Sequence, residues 1–142
     1  MNWIMDFARA RLVVAALAFA ALSCDGAPRP IDVVEATIVQ IQDQILAGRT
    51  TCRLVVQAYL DRIEVYDEAT VNAITVVNPN ALTRADEIDA SIQAGEELGP
   101  LFCAPLLVKD NFDTHDLPTT GGSIALMGSI PPDDAFMVRR IR

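Results

Sequence analysis

With a single histidine, His115, and three cysteines of which no two stand at a CxxC spacing, the chain cannot assemble a histidine-rich zinc site. Positive charge is scarce too. Lys and Arg together number 11 against 19 Asp and Glu, a formal net charge of -8 that repels a phosphate backbone and disfavours nucleic-acid binding through a basic face. No apolar run reaches the roughly 20 residues that a membrane-spanning helix needs. What is present is 142 residues, 51% of them hydrophobic, enough for one modest globular core.

The N-terminus reads as an address. Arg9 and Arg11 precede the apolar run Leu12 to Leu22, and the small residue Ser23 follows before Cys24, the pattern of a secretory signal peptide over residues 1–23. The ALSC sequence also resembles a bacterial lipobox, in which Cys24 is lipidated, although Leu22 stands one place later than in the usual pattern. Export is therefore expected, to the periplasm or the extracellular space, with the leader or a lipid on Cys24 as the one expected membrane contact. Cys52 and Cys103 are read as two buried free thiols, with pairing in an oxidising compartment as the alternative.

Residues 24–30, with Pro28 and Pro30, form a linker, and folding begins after it. Asp32 and Glu35 have capping-box spacing before a helix that carries Val34, Ile38, Ile41 and Ile45 on one face and ends at Gly48. Thr51 caps a second helix with Val55, Val56, Tyr59, Leu60 and Ile63 inward. A short strand is expected over residues 73–77. Asn78 then caps a third helix, with Pro79 at its first position and Leu82, Ala85, Ile88 and Ile92 facing the core, and Gly95 or Gly99 stops it. The acidic residues Asp86, Glu87, Asp89, Glu96 and Glu97 are read as a solvated helix side. Residues 105–108 read as a buried strand that delivers Lys109, Asp110 and Asn111 at its tip. An irregular loop over 112–132 leads to a last helix capped by Asp133 or Asp134. Alternating helices and strands make α/β the expected class.

Ten of the eleven basic residues are Arg, and the one Lys sits at the end of an apolar run. Burial disfavours an ammonium group, so a lysine at such a place can act as a proton acceptor, which a guanidinium cannot. Lys109 is thus the candidate general base, against the plainer reading of a strand-end lysine that reaches into water.

Gly99 to Asn111 (GPLFCAPLLVKDN) and Asp113 to Leu126 (DTHDLPTTGGSIAL) together resemble the signature of the amidase signature family, GPLxGIPxxVKDNxxTxxxPTTxGSxAL. Residues 102–104 (FCA) depart from the family's common x-G-I. The likeness extends over residues 31–142. It implies the N-terminal part of an α/β/α sandwich around a mixed sheet, and hydrolysis of small-molecule or peptide amides by a Ser-cisSer-Lys triad that uses neither metal nor organic cofactor. By the resemblance Lys109 is the triad lysine. Asp110 and Asn111 fix the backbone beside it, and Thr119, Thr120, Gly121, Gly122 and Ser123 form an adjoining turn. The two triad serines have no counterpart in these residues. The 142-residue chain is therefore expected to be inactive by itself, as a truncated part of a longer enzyme or as a non-catalytic exported or lipid-anchored remnant of the same fold. A rival thiol or serine hydrolase, built from Cys103 or Ser123 with His115 and Asp116, fails on geometry. An adjacent carboxylate cannot readily reach the far side of the imidazole, GxSxG is absent, and His115 reads as a solvated loop residue.

Overall fold

The computed structural model describes residues 26–142, so the expected leader over 1–23 and the lipidation position Cys24 lie outside the described residues. Among the described residues four α-helices run in chain order: α1 Ile38–Leu46, α2 Cys52–Tyr66, α3 Ala81–Ala94 and α4 Phe136–Ile141. No described helix is long and apolar enough to cross a membrane.

Helix α1 starts later than the Asp32–Glu35 spacing suggested. The Asp32 carboxylate accepts from the Val34 N–H at 2.9 Å and closes a local turn, and Glu35 takes a left-handed φ of 55°, which no helix can continue through. Thr37 and Gln40 form the capping box instead: the Gln40 N–H donates to Thr37 Oγ1 at 3.2 Å, and the Thr37 N–H donates to Gln40 Oε1 at 2.9 Å. Ile41 and Ile45 face the core as expected, whereas Val34 and Ile38 remain exposed. Past Ala47, Gly48 at φ 70° ends the helix, its N–H returning to the Ile45 carbonyl.

Every N–H of the first turn of α2 has an acceptor. Asp89, from α3, receives the Cys52 and Arg53 N–H groups on its two carboxylate oxygens at 2.7 and 3.0 Å. Thr51 Oγ1 takes the Leu54 N–H at 3.1 Å, and the Thr51 carbonyl takes Val55. Asp89 is accordingly half-buried and structural, a correction to the solvated acidic side, while Asp86 and Glu87 pair with Arg53 and Arg84 at the surface. The core joins Ile41, Ile45, Cys52, Val55, Ala85 and Cys103, with Tyr59, Ile88, Ile92 and Phe102 packed against it. Fully burying a side chain such as Val55 contributes about 1.5–3 kcal/mol.

Helix α3 begins at Ala81 rather than directly after Asn78. The Asn78 side chain accepts from the Asn80 N–H at 2.8 Å and makes a turn there, and Gly95 in left-handed conformation closes the far end. Neither expected strand forms among the described residues. At residues 73–77 the Ala73 and Ile74 N–H groups go to the Asp67 carboxylate rather than to a ladder, and Val76 and Val77 are exposed. A strand needs a partner, and among the described residues the backbone of 73–77 makes no ladder hydrogen bond. The mixed sheet therefore does not appear here. Helix α4 starts after Ala135 with no side-chain cap, because the Asp134 carboxylate is engaged elsewhere.

Candidate active site

From the core, the chain passes through Cys103 into a stretch without regular secondary structure that ends at Lys109. Contrary to the free-thiol expectation, Cys103 is bonded to Cys52, with the two Cα atoms 5.5 Å apart. Both residues sit in the same core cluster, which brings the thiols together across a sequence separation of 51. Cys103 is thus no free nucleophile, which removes the thiol-hydrolase alternative. Gln42 holds the preceding turn, its amide donating to the Pro100 and Phe102 carbonyls at 3.0 and 3.1 Å.

Lys109 is exposed rather than buried, and so are Leu106, Leu107 and Val108 before it. Among the described residues no N–H from Leu106 to Lys109 finds an acceptor. Among the described residues the segment has no neighbours that pair its backbone and cover its lysine.

Immediately after Lys109 the backbone is fixed. The Lys109 carbonyl accepts from the Phe112 N–H at 3.0 Å, and Asp110 clasps the turn at residues 120–122. Its carboxylate accepts from the Thr120 N–H at 2.7 Å, the Thr120 hydroxyl and the Gly122 N–H, while its carbonyl accepts from Gly121 N–H at 2.8 Å. The Thr120 hydroxyl and N–H bonds hold the Asp110 carboxyl below its ordinary range. Gly121 and Gly122, at φ 57° and 75°, supply the left-handed conformations this turn requires. Thr119 bridges the loop, its N–H donating to the Ser129 carbonyl and its hydroxyl to that of Phe112. The structure thus brings Asp110, Thr120, Gly121 and Gly122 together beside Lys109. Asn111 and Ser123 lie exposed on the same loop.

A second constellation was not visible in the sequence. His115 is met by Asp134 rather than by Asp116: the Asp134 carboxylate contacts Nδ1 and accepts the His115 N–H, both at 2.9 Å. Arg142 reaches Asp116 at 2.6 Å and Asp134 at 3.1 Å, and Asn78 adds a bond to Asp116. Ligand atoms of His115, Asp116 and Asp134 lie within 4.8 Å of one another, a spacing a cation could bridge, but the one Arg142 guanidinium is already paired with both carboxylates. Burial pushes the Asp116 carboxyl upward, and Arg142 outweighs it, leaving Asp116 below its ordinary range. For Asp134 burial is likewise outweighed, by the His115 bonds and by Arg142. The cluster ties the loop to α4.

A family model described as Amidase matches residues 54–142. The A subunit of the glutamyl-tRNA(Gln) amidotransferase of Acidothermus cellulolyticus is 43% identical over 111 residues, which are 78% of this chain and 22% of that protein. A putative amidase of Schizosaccharomyces pombe is 43% identical over 113 residues, 79% of this chain and 19% of that one. Among solved structures, the native peptide amidase of Stenotrophomonas maltophilia matches with a TM-score of 0.72 at 38% identity, over 80% of this chain and 23% of that chain. The chain therefore spans about a fifth of the length of these relatives. Because the match runs from α2 through the Lys109 segment and the clasped turn to α4, the chain belongs to the amidase family.

Proposed function

We propose that this chain is the lysine-bearing part of a hydrolase of carboxylic amides, with Lys109 as the base of a Ser-cisSer-Lys triad. The observation that carries this reading is the clasp between the two signature elements: Asp110 ties the peptide after Lys109 to Thr120 and Gly122. In the triad the neutral amine accepts a proton from a bridging serine, which deprotonates the nucleophilic serine. That hydroxyl oxygen attacks the amide carbonyl, the C–N bond breaks as the amine leaves with a proton, and water releases the acid from the acyl-enzyme. Both serines come from a further part of the domain, which also covers the exposed Leu106–Val108 stretch, completes the α/β/α sandwich and removes water from Lys109. Without that part the chain is inactive. In the described residues Lys109 is exposed, as the plainer reading of a lysine that reaches into water expects and as a non-catalytic remnant of the same fold shares, so the proposal requires that further part to bury it.

Small-molecule or peptide amides are the proposed substrates. Transamidation of a charged tRNA, a cytoplasmic reaction, is disfavoured by the leader-like N-terminus. The leader-like N-terminus and the buried disulfide both support an exported protein, since such bonds persist in oxidising compartments. To test the role of Lys109, residues 31–142 replace the matched segment of the Stenotrophomonas maltophilia peptide amidase, and ammonia release from a peptide amide is followed. Hydrolysis by the chimera and its loss by 10³-fold or more in Lys109→Met are expected, on the order of the loss that accompanies removal of a triad member. Equal turnover by the Lys109→Met chimera overturns the assignment.

A further inference from the structure

Resting on the reading of Lys109 as the reacting base, we propose that the Cys52–Cys103 disulfide is the tether that positions the Lys109 segment on the helical core, making both cysteines positioning residues for that amine.

Three observations converge on this bond. Cys103 has φ 55°, a left-handed conformation that disfavours any side chain, and it stands where the signature pattern has glycine. A cysteine there loses the conformational ease of glycine and gains a covalent bond. The partner is anchored in turn: Cys52 is wholly buried, opens α2, and has its N–H held by Asp89. Beyond Cys103 the chain runs to Lys109 with no acceptor among the described residues for the N–H groups of Leu106–Lys109, and the next fixed point is the Asp110 clasp. That clasp joins one loop to another and does not reach the core cluster. The segment that carries the amine therefore hangs between one covalent anchor and one loop, with Gln42 holding the turn just upstream of Cys103.

Because Lys109 is the one lysine, lysine-selective ¹⁵N labelling of the full chain yields a single backbone signal that reports on it alone. All samples carry Cys24→Ser so that no third thiol takes part in exchange. In the oxidised protein the Lys109 amide is expected to show an order parameter near that of rigid backbone, about 0.85, falling below about 0.6 in Cys103→Gly. In parallel samples labelled selectively with ¹⁵N-isoleucine, the amides of Ile63 in α2 and Ile88 in α3 keep their order in both. Dithiothreitol gives the same loss in the otherwise native chain: it supplies two electrons and two protons, closes into its own cyclic disulfide and leaves two cysteine thiols. It has no effect on Cys103→Gly. Reoxidation restores the rigid signal. The proposal is overturned if Lys109 has the same order with and without the bond, or if α2 and α3 lose order together with it in both the variant and the reduced protein. Since no amide turnover is read, failure here leaves the catalytic role of Lys109 standing, and failure of the Lys109→Met experiment leaves the tether standing.

Discussion

Replacing Asp89 with alanine removes the acceptor for two N–H groups of another helix and tests whether a side chain on α3 holds the start of α2. The two bonds differ in the consequence of their loss. The Cys52 N–H belongs to a wholly buried residue and is stranded, at a cost of about 1–3 kcal/mol, whereas Arg53 is exposed and its N–H turns to water. Losing a carboxylate at a helix N-terminus adds about 0.3–1 kcal/mol. Together these give roughly 1–4 kcal/mol of destabilisation, a large share of the 5–15 kcal/mol typical of a domain. Urea unfolding followed by far-UV circular dichroism reads this as a lower midpoint at unchanged slope. Asp89→Asn keeps one oxygen acceptor and is expected to fall between wild type and Asp89→Ala. Thr51→Ala, which removes only the Leu54 acceptor, costs about 1 kcal/mol. A loss below about 0.5 kcal/mol for Asp89→Ala, the range of ordinary surface changes, would refute the cap.

The Asp110 clasp has a defined pH dependence. Its folded carboxyl lies below the ordinary value of 3.8 because the Thr120 hydroxyl and backbone bonds favour the ionised form, so its stabilisation is complete above that value and is lost as pH falls through the folded one. The Thr120 and Gly122 amide resonances are expected to hold their positions from pH 7 down to about 4 and to move only below it; a midpoint above the ordinary value contradicts the clasp. Removing Arg142 by Arg142→Ala takes away the main opposition to burial at Asp116, and a ¹³C carboxyl titration should find its pKa raised. An unchanged Asp116 titration would mean that the ion pair does not form in solution.

Period and capping signals were legible wherever a helix is determined by its own residues. Thr51, the Val55 face of α2, the Ala85 face of α3 and the terminating Gly48 and Gly95 all stand as the sequence indicates. The start of α1 was misplaced because Asp32 has two short-range options, and its side chain closes a turn rather than capping a helix. Both strands were read from apolar runs that need neighbouring strands, and residues 73–77 and 105–108 have none among the described residues. Non-local pairings left no local trace. Asp89 looked like one more acid on a wet face, and Arg142 lies 26 residues from Asp116. At the site, the VKDN and PTT-GS elements pointed to Lys109, Asp110 and Thr120, but the fixing of Asp110 to Thr120 and Gly122 emerges only from the folded loop.

The left-handed backbone at Cys103 also constrains how the two cysteines can change over time. If Cys52 alone is exchanged, Cys103 keeps an unfavourable conformation and has nothing bonded to its sulfur. If Cys103 alone reverts to glycine, a thiol is left in the core with no mate. Either single step gives up the cross-link, so the pair is inherited or replaced as a unit, and descendants that retain one cysteine without the other should be rare.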